Sequence, residues 1–397
     1  MHLVIMAAWE GSRMRPLTDT TPKPLLKICG KTIIEHNIEN IITNFDDVFF
    51  IVKYKSNCFR EYFGDSYKWK KVHYIEQNGE VMGTWAAILS LKGKIDGDFI
   101  ILSGDDIYDD TDILSLKNTH GFATLCKSVD RPSDFGIFVI GSDGKPNSIV
   151  EKPWDPSLWN LANIGNHKFD STIFDDLEKI SLSPRGELEI TDLIAKYMNE
   201  KKYSVVEAKG RWITIWYPWD LLKANTQIIG NYTETKNHGW IIEEWVIIKW
   251  NIYLEEWSIL KSGTYIEGNV YFGKNCEVWP YSHIRGNTSL GQDSRVGSFS
   301  EVKNCYLDDD TVVAQNAIVV DTIAGKNVNF AAGTITTNWR HDDKNIRAIS
   351  KWELLDTGRR KLGAIVWDNF RFGANTITYP GRTLPTDGTT LPGEIIK

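Results

Sequence analysis

Large apolar residues recur at every sixth position from Ile242 onward. The unbroken series has eleven members: Ile242, Ile248, Leu254, Leu260, Ile266, Phe272, Val278, Ile284, Leu290, Val296 and Val302. Four residues after each of the first ten stands a small or medium-sized residue, as at Ser258, Thr264 and Ser282. Such a six-residue repeat builds a parallel β-helix, because each coil can bury its apolar face only against the neighbouring coils. Eleven members in register favour this architecture over a sandwich of ordinary strands.

The β-helix is expected to occupy residues 241–397. Its repeat loses register near Asn304, where we expect a short insertion or bulge, and resumes around Leu307, Val313 and Val319. The stretch 225–240 is polar and reads as a linker. A chain of 397 residues with these two patterns is therefore expected to form two domains, 1–224 and 241–397.

Residues 1–224 alternate short apolar strands with amphipathic helices. The predicted buried strands are Leu3–Met6, Val48–Lys53, Phe99–Leu102 and Ala123–Cys126. A helix is expected after Gly30, where Ile33-Ile34, Ile38 and Ile41-Ile42 follow helical spacing. This alternation indicates an α/β domain with a mostly parallel, Rossmann-like sheet, and ligands bind at the carboxyl ends of such strands.

Composition excludes several classes of function. The formal net charge is −7, so no basic surface for nucleic acid is indicated. No apolar run is long enough to span a bilayer, and the first residues lack the basic region of a secretory signal. The five cysteines (Cys29, Cys58, Cys126, Cys276 and Cys305) are dispersed, which argues for reduced thiols in a cytoplasmic protein.

The segment after the first strand is suited to holding phosphates. The strand runs into a turn of small residues, Ala7-Ala8 and then Gly11-Ser12, which delivers Arg13. Lys23 follows within the Pro-Lys-Pro sequence of residues 22–24. Arginine offers a planar fork of donors and lysine a compact charge, so the pair can stabilise the charge of a nucleoside triphosphate. Solvated loop charges are the alternative interpretation.

These residues resemble the opening pattern of the sugar-1-phosphate nucleotidylyltransferases. The two-domain members with a left-handed β-helix, such as the N-acetylglucosamine-1-phosphate uridylyltransferases of bacteria and archaea, are the nearest in organisation. The Ala7-Ala8 pair is more similar to uridylyl and thymidylyl enzymes than to guanylyl or adenylyl ones. The resemblance implies transfer of a nucleotidyl group from UTP or dTTP to a sugar 1-phosphate, with release of pyrophosphate and with Mg²⁺ as cofactor.

The resemblance also implies roles for individual residues. Arg13 and Lys23 would be catalytic, and Asp105, in Ser-Gly-Asp-Asp after the strand Phe99–Leu102, would bind the metal. The remaining positions would bind the nucleotide (Ala7, Ala8, Gly11, Ser12, Gln77, Gly83 and Thr84) or the sugar (Gly136, Glu151 and Asn163). A glutamine amide can pair with a uracil or thymine edge. Taken alone, Asp105 is also a common turn residue, and Glu151 an ordinary strand end.

The β-helix of the family trimerises, and some members acetylate amino sugars with acetyl-CoA. By the resemblance, Arg285 and Lys303 would hold a sugar phosphate, and Asn338 matches an asparagine of the acetyl-transfer site. Acetyl transfer needs a base of near-neutral pKa. Gln315 stands where the family has that histidine, and glutamine cannot serve as a base. His283 and His341 could serve as the base instead, but part-exposed residues on a coil edge or loop are the favoured interpretation.

Tryptophan stands at several family glycine positions. Trp9 replaces the first glycine of the phosphate loop. Thr214 stands where the family has a metal-binding carboxylate, and Trp216 replaces the glycine that follows that carboxylate. Trp85 replaces a small residue, and further tryptophans fall at repeat turns or similar positions: Trp245, Trp250, Trp257, Trp279, Trp352 and Trp367. We interpret them as replacements of glycine relative to an active relative; a tryptophan-rich surface is the alternative.

Three functions follow from these patterns. The first is nucleotidyl transfer to a sugar 1-phosphate, N-acetylglucosamine 1-phosphate or glucose 1-phosphate. The second is an impaired scaffold or regulatory subunit that binds nucleotide sugars, which Trp9 and Thr214 favour. The third is an acetyl-CoA-dependent acetyltransferase of amino-sugar phosphates, against which Gln315 speaks.

Overall fold

The protein is described by a computed structural model that covers residues 1–77, 83–142, 146–153, 159–179, 190–200, 202–238 and 241–397. Contacts divide the chain into two compact units. The first comprises Met1–Glu10 and Ile33–Ile213, and the second comprises Gly11–Thr32 and Thr214–Lys397. The predicted boundaries at 224 and 241 divide the chain into continuous stretches, whereas the two units found from contacts are not continuous in sequence. The boundaries stay a prediction.

The first 213 residues contain strands β1–β14. They are β1 His2–Ala7, β2 Lys27–Ile28, β3 Lys31–Thr32, β4 Val48–Val52, β5 Ser66–Tyr67, β6 Lys70–Glu76, β7 Asp98–Ser103, β8 Ile107–Tyr108, β9 Phe122–Ser128, β10 Gly136–Ile140, β11 Pro146–Glu151, β12 Leu161–Asp170, β13 Tyr203–Glu207 and β14 Trp212–Ile213. The helices are α1 Ile33–Ile38, α2 Ser56–Phe63, α3 Thr84–Leu89, α4 Asp110–Asn118, α5 Ile173–Leu177, α6 Ile190–Asn199 and, later in the chain, α7 Asp220–Ile229.

The main sheet of the first unit has the order β11-β10-β12-β7-β1-β4-β6-β5, with β9 pairing β12 and β13. Strands β7, β1, β4 and β6 are parallel, and β12 runs antiparallel to β7. The four predicted strands are confirmed. Helix α1 is also confirmed, but it ends at Ile38, and Ile42 begins a short 3-10 helix instead. Because β1 and β7 are parallel neighbours, their carboxyl ends lie at the same edge of the sheet.

Strands β15–β38 belong to the second unit. They are β15 Lys236–Asn237, β16 Ile241–Ile242, β17 Ile247–Ile248, β18 Ile252–Leu254, β19 Ile259–Leu260, β20 Tyr265–Glu267, β21 Val270–Phe272, β22 Glu277–Val278, β23 His283–Arg285, β24 Thr288–Leu290, β25 Arg295–Val296, β26 Glu301–Lys303, β27 Tyr306–Leu307, β28 Val312–Val313, β29 Ile318–Val320, β30 Ile323–Ala324, β31 Asn329–Phe330, β32 Ile335–Thr336, β33 Arg347–Ser350, β34 Glu353–Asp356, β35 Ile365–Val366, β36 Ile377–Thr378, β37 Thr383–Leu384 and β38 Ile395–Ile396. All but the β33–β34 hairpin join three parallel sheets, as a left-handed β-helix requires.

The six-residue repeat fills the centre of this β-helix. From Leu254 to Val302 every large member of the series is buried, and so are the smaller partners from Ile252 to Ser300. Ile242 and Ile248 lie in the first coil and keep part of their surface, since no earlier coil covers them. The predicted core is therefore confirmed except at its first coil.

The change of register near Asn304 is a shortening, not the expected insertion or bulge. The Cys276 amide donates to Ser258, 18 residues earlier, whereas the Cys305 amide donates to Thr288, only 17 residues earlier. The next coils keep the shorter spacing, as between Thr311 and Ser294, and the last coil returns to 18 residues, as between Ile365 and Thr383. Asn304 makes the tighter corner with a φ of 52°, a conformation that asparagine tolerates better than most residues.

The second unit also contains the early segment Gly11–Thr32. Lys27 forms an ion pair with Asp309 at 2.8 Å, and the Thr20 hydroxyl donates to Asp368 at 2.6 Å. The Ser350 hydroxyl donates to the carbonyl of Arg13 at 2.9 Å. Three separate coils or loops of the β-helix thus fix one short stretch of the chain.

Helix α7 (Asp220–Ile229) extends into the stretch that was expected to be a linker. Its apolar residues Leu221, Leu222, Ile228 and Ile229 are buried, and the buried Asn225 amide donates to the carbonyls of Asn287 and Cys305. The polar residue Asn225 was read as a linker residue, but its polar groups are satisfied by the β-helix. Among the described residues, no helix has the length and apolar character needed to cross a membrane.

Candidate active site

The turn after β1 depends on a glycine at position 11. Gly11 has a φ of 66°, and its carbonyl accepts a hydrogen bond from the Thr18 hydroxyl at 3.0 Å. A Cβ atom at Gly11 would lie 3.0 Å from Cβ of Lys23 and 3.1 Å from a methyl of Thr18. Glycine is therefore required by both conformation and space. Ser12 and Arg13 follow in a 3-10 turn, Ser12–Met14.

The two predicted catalytic cations differ in exposure. Arg13 is exposed, whereas the side chain of Lys23 is buried at 5% exposure. Lys23 interacts electrostatically with Asp220, whose pKa is raised by burial and lowered in part by backbone donors and by the charges of Lys223 and Lys23. Arg15, two residues after Arg13, is engaged by Asp19 at 3.4 Å. Arg13 thus offers its guanidinium to solvent, while Lys23 is held within the turn.

Asp220 is a residue that the sequence analysis did not single out. One of its carboxylate oxygens accepts the backbone amides of Trp216 and Tyr217, both at 2.8 Å. It lies at the start of α7, close after the threonine at the family's second carboxylate position, Thr214. An Asp two residues after a Trp-Tyr-Pro sequence is a recognisable helix-start signal.

Asp105 lies two residues after the end of β7 and is half-buried. The Ser103 hydroxyl donates to its carboxylate at 2.5 Å, and the Ser103 amide donates to Asn166 at 3.1 Å. The Gly104 amide donates to the carbonyl of Met6 in β1 at 2.9 Å, so the segment that carries Asp105 is tied to the end of β1. Ser103 was quoted in the motif but not assigned a role; its place two residues before Asp105 was the available signal.

The neighbouring Asp106 has a structural role. It is buried, and its carboxylate accepts the Trp212 indole N–H at 3.0 Å, while its carbonyl accepts the Asn37 amide at 2.8 Å. Asn37 also accepts the Tyr108 amide at 2.9 Å. These bonds fix the backbone after Asp105 and engage the Asp106 carboxylate with Trp212.

The donor set suits Mg²⁺ bound mainly through a substrate. Among the described residues no group of three or more His, Cys, Asp or Glu side chains could enclose a metal ion. Mg²⁺ commonly uses one or two carboxylates together with substrate phosphates. Asp105 can supply one such oxygen ligand, and Thr214 offers a neutral hydroxyl where the family has a second carboxylate.

The predicted base-reading residues lie after β6. Gln77 follows the strand directly and its side chain is buried, while its backbone N–H donates to the carbonyl of Val52 at 2.9 Å. Gly83 precedes α3 with a φ of 121°, and Thr84 begins that helix. Trp85 is buried in the core, and its indole N–H finds no acceptor among the described residues. A buried unsatisfied donor is unusual, which agrees with the family's small residue at this position.

The predicted sugar-binding residues form a row across three strands. Gly136 of β10 pairs with Glu151 of β11, and the antiparallel register of β10 with β12 places Gly136 beside Asn163. Glu151 is half-buried, and the Asn163 side-chain oxygen accepts the Gly165 amide at 3.0 Å. The structure therefore brings these three predicted residues together.

On the β-helix, Arg285 and Lys303 are paired on adjacent strands β23 and β26. Arg285 donates through Nε to Glu301 at 2.7 Å. Asn338 is engaged elsewhere, because its amide donates to Asp321, which also accepts from Asn304 at 2.6 Å. Arg285 and Lys303 are thus neighbours. The side-chain amide of Asn338 is instead part of a hydrogen-bonded row with Asp321 and Asn304 along one corner of the β-helix.

The two histidines considered as bases differ in surroundings. His283 lies on β23 at 3.6 Å from Glu267. His341 is exposed and borders a cleft of about 710 Å³ whose other walls include Trp339, Arg340, Arg347, Tyr379 and Arg382. Gln315 is exposed at a coil corner, so the position of the family's base is accessible but has no basic group.

The fold is that of a Rossmann-like nucleotidyltransferase followed by a left-handed β-helix. The chain belongs to the nucleotidyl transferase family, whose model matches residues 2–230. The relationship extends beyond this domain, because relatives align with nearly the whole chain.

Two relatives illustrate that extent. The chain is 37% identical over 382 residues to the bifunctional protein GlmU of Methanocaldococcus jannaschii, covering 96% of this chain and 91% of the relative. It is 35% identical over 402 residues to the bifunctional sugar-1-phosphate nucleotidylyltransferase/acetyltransferase of Sulfurisphaera tokodaii, covering 100% and 97%. A crystal structure described as a putative glucose-1-phosphate thymidylyltransferase from Bacillus anthracis, in complex with sucrose, matches with a TM-score of 0.52 at 25% identity, over 59% of this chain and 98% of that one.

Proposed function

We propose that the protein transfers a uridylyl or thymidylyl group from UTP or dTTP to a sugar 1-phosphate and releases pyrophosphate. N-acetylglucosamine 1-phosphate is the first candidate acceptor and glucose 1-phosphate the second. The observation that carries the proposal is Asp105, held by Ser103 at the end of β7. The neighbouring strand β1 leads into the Gly11 turn with Arg13 and Lys23. Relatives named for this activity align over nearly the whole chain.

In the proposed reaction a phosphate oxygen of the sugar 1-phosphate forms a bond to the α-phosphorus. The bond from that phosphorus to the bridging oxygen of the β-phosphate breaks, and pyrophosphate leaves with the electron pair. The protein contributes positioning and neutralisation of charge. Arg13 supplies a fork for phosphate oxygens, and the buried Lys23 supplies a fixed charge, which is stronger where water is excluded. Mg²⁺, when bound through Asp105, would further neutralise the phosphates.

The other predicted residues confer specificity in this proposal. The Gln77 amide would read the base edge, because it offers both a donor and an acceptor. Glu151 and Asn163, which flank Gly136 in one row, would bind sugar hydroxyls or an acetamido group.

The decisive assay measures pyrophosphate release from UTP or dTTP with each sugar 1-phosphate, with Mg²⁺ and with EDTA. We expect turnover that needs both substrates and Mg²⁺. No turnover, together with calorimetric binding of a UDP-sugar, would instead select a nucleotide-sugar-binding scaffold or regulatory subunit. We further propose a cytoplasmic homotrimer formed through the β-helix; sedimentation as a monomer would contradict the trimer.

Acetyl transfer is a second candidate function, favoured by the adjacent Arg285 and Lys303 and by the bifunctional names of the relatives. Its test is thiol release from acetyl-CoA with glucosamine 1-phosphate. Because Gln315 cannot take the ammonium proton, we expect a slow reaction that rises by ~10²-fold or more in Gln315→His. Loss of a fast reaction in His341→Ala would identify that histidine as the base instead.

A further inference from the structure

Two β-hairpins of this protein turn on a Lys-Trp pair. Lys68-Trp69 joins β5 to β6 with φ angles of 45° and 68°, and Lys351-Trp352 joins β33 to β34 with φ angles of 50° and 67°. Positive φ at both central residues is the requirement of a type I′ turn, whose second position strongly favours glycine. A bulky residue in this region is a genuine outlier.

Neither indole is buried by its position in the turn. Trp69 is 98% exposed and Trp352 is 97% exposed. An aromatic side chain in a strained backbone conformation is normally retained because it packs or binds something, and burial of this kind is absent at both positions. The strain of the turn is therefore not offset by the side chain.

A third hairpin of the same geometry provides an internal comparison. Cys29-Gly30 joins β2 to β3 with φ angles of 49° and 78°. Its second central residue is glycine. Three two-residue turns thus share one backbone form, and tryptophan occupies in two of them the position that glycine occupies in the third.

The β-helix repeats the anomaly at one of its corners. Trp257 has a φ of 65° and is 66% exposed. The equivalent corner of each following coil also has a positive φ and carries Asn275, Asp293, Asp310, Asn327, Asn369 or Asp387. Asn and Asp are the non-glycine residues that tolerate this region best. Tryptophan at the head of this column has no such property.

Trp245 also has a positive φ, 68°, at another corner. The next coil has Gly263 there, but later coils carry Tyr281 and Phe299, whose rings stack at 5.5 Å. That corner accepts aromatic residues, so the argument depends on Trp69, Trp257 and Trp352.

Other tryptophans of the chain are built into the structure in the ordinary way. The Trp212 indole N–H donates to Asp106, and its ring contacts Phe135 edge-on at 5.4 Å. Trp219 has a φ of −69°, is 5% exposed and stacks on Tyr217 at 4.8 Å. Trp212 and Trp219 thus pack in the ordinary way, whereas Trp69, Trp257 and Trp352 have a positive φ and are mostly exposed.

We propose that positions 69, 257 and 352 are glycine in the protein made by its own cells. The same reassignment would place glycine at positions 9 and 216, where the support is the family motif and not a positive φ. The codon expected is UGA, which differs from the tryptophan codon UGG in one base, read by a transfer RNA that carries glycine. The phosphate turn would then read Ala-Ala-Gly-Glu-Gly-Ser-Arg over residues 7–13. This proposal stands independently of the proposed function, since it is based on backbone conformation.

The direct test combines the coding sequence with mass spectrometry of the protein purified from its source cells. We expect UGA at codons 9, 69, 216, 257 and 352, and UGG at codons 212 and 219. Peptides that contain position 69 or 352 should have the mass calculated with glycine at that position. The peptide that contains positions 212 and 219 should have the mass calculated with tryptophan at both. Tryptophan at 69 and 352, or one codon throughout, would overturn the proposal.

A second test uses the recombinant chain with tryptophan at every position. Trp69→Gly and Trp352→Gly should each raise Tm by about 1 °C or more, because glycine releases the strain of the turn. Trp219→Gly is the matched control and should lower Tm, because it removes a buried, stacked ring from an ordinary conformation. A fall in Tm for Trp69→Gly as large as that of the control would contradict the assignment of glycine.

Discussion

The hydroxyl of Ser103 donates to the carboxylate of Asp105 at 2.5 Å. This contact holds a carboxylate that lies just beyond the end of β7, where we propose that Mg²⁺ binds. A serine that orients a metal-binding carboxylate contributes to metal affinity without touching the metal, and losses of such partners typically weaken metal binding by about 10–100-fold. The first prediction concerns this pair.

Asp105→Asn should lower kcat by about 10²-fold or more at saturating Mg²⁺, because it removes the charged ligand. Ser103→Ala should instead raise the Mg²⁺ concentration needed for half-maximal rate by about 10-fold or more, with a smaller change in kcat at saturation. Mg²⁺ titrations of pyrophosphate release separate the two effects. An unchanged Mg²⁺ requirement in Ser103→Ala would show that the hydrogen bond does not orient a metal ligand.

The turn of residues 11–23 offers a matched pair of arginines. Arg13→Gln should reduce kcat/KM for the triphosphate by about 10²-fold, since a charge-assisted contact to phosphate is lost. Arg15→Gln is the control, because Arg15 is exposed and already engaged by Asp19; we expect less than about a twofold change, as for a surface ion pair. Equal losses in both variants would indicate a general effect of local charge rather than a role for Arg13.

The buried His167 should make the first unit sensitive to acid. Burial lowers the pKa of His167 from 6.5 to about 3, and its ring contacts the Tyr203 hydroxyl at 2.9 Å. In the unfolded chain His167 binds a proton below about pH 6.5, whereas in the folded chain it stays neutral down to about pH 3. The free energy of unfolding therefore falls as pH decreases from about 6.5 towards 3. Urea unfolding of His167→Gln should show a shallower fall over this window. An identical pH dependence would exclude His167 as the cause.

Asp308 should produce the opposite dependence in the second unit. Burial, and then the charge of Asp309, raise the pKa of Asp308 from 3.8 to about 7, while Lys326 and Lys27 act against this rise. The folded state keeps a proton that the unfolded state has lost, so the free energy of unfolding decreases as pH rises from about 4 to 7. Asp308→Asn should remove this decrease and be most stabilising, relative to the wild type, above pH 7. Its Asp309→Asn counterpart should instead lose the ion pair with Lys27.

The sequence was most informative where periodicity reports burial. The six-residue repeat predicted which residues fill the β-helix, since a residue such as Val278 or Ile284 can be covered only from the coils on either side. The strands of the first unit followed from apolar runs for the same reason. At Asn304 an insertion was predicted, but the coil is one residue shorter. The prediction was wrong because a deletion and an insertion both interrupt the six-residue repeat.

The site was predicted less completely than the fold. Motif residues such as Asp105 and Gly11 were identified by spacing, but Ser103 and Asp220 act through hydrogen bonds that depend on three-dimensional proximity. The role of Asn225 could not be predicted either. A polar residue in a polar stretch does not indicate that its side-chain amide donates to a carbonyl of the β-helix. The tryptophans were suspected from the motif at Trp9, whereas Trp69 became suspect only through its backbone angle.

The anchoring of residues 11–32 has a consequence for modular use of the protein. Thr20, Lys27 and the Arg13 carbonyl are each held by a residue beyond position 300. A fragment that stops at the end of the nucleotidyltransferase region would retain every motif residue and yet release the very loop that carries Arg13 and Lys23. Shuffling β-helices between relatives would likewise exchange the supports of that loop. Residues beyond position 300 thus support the loop that carries two of the proposed catalytic residues.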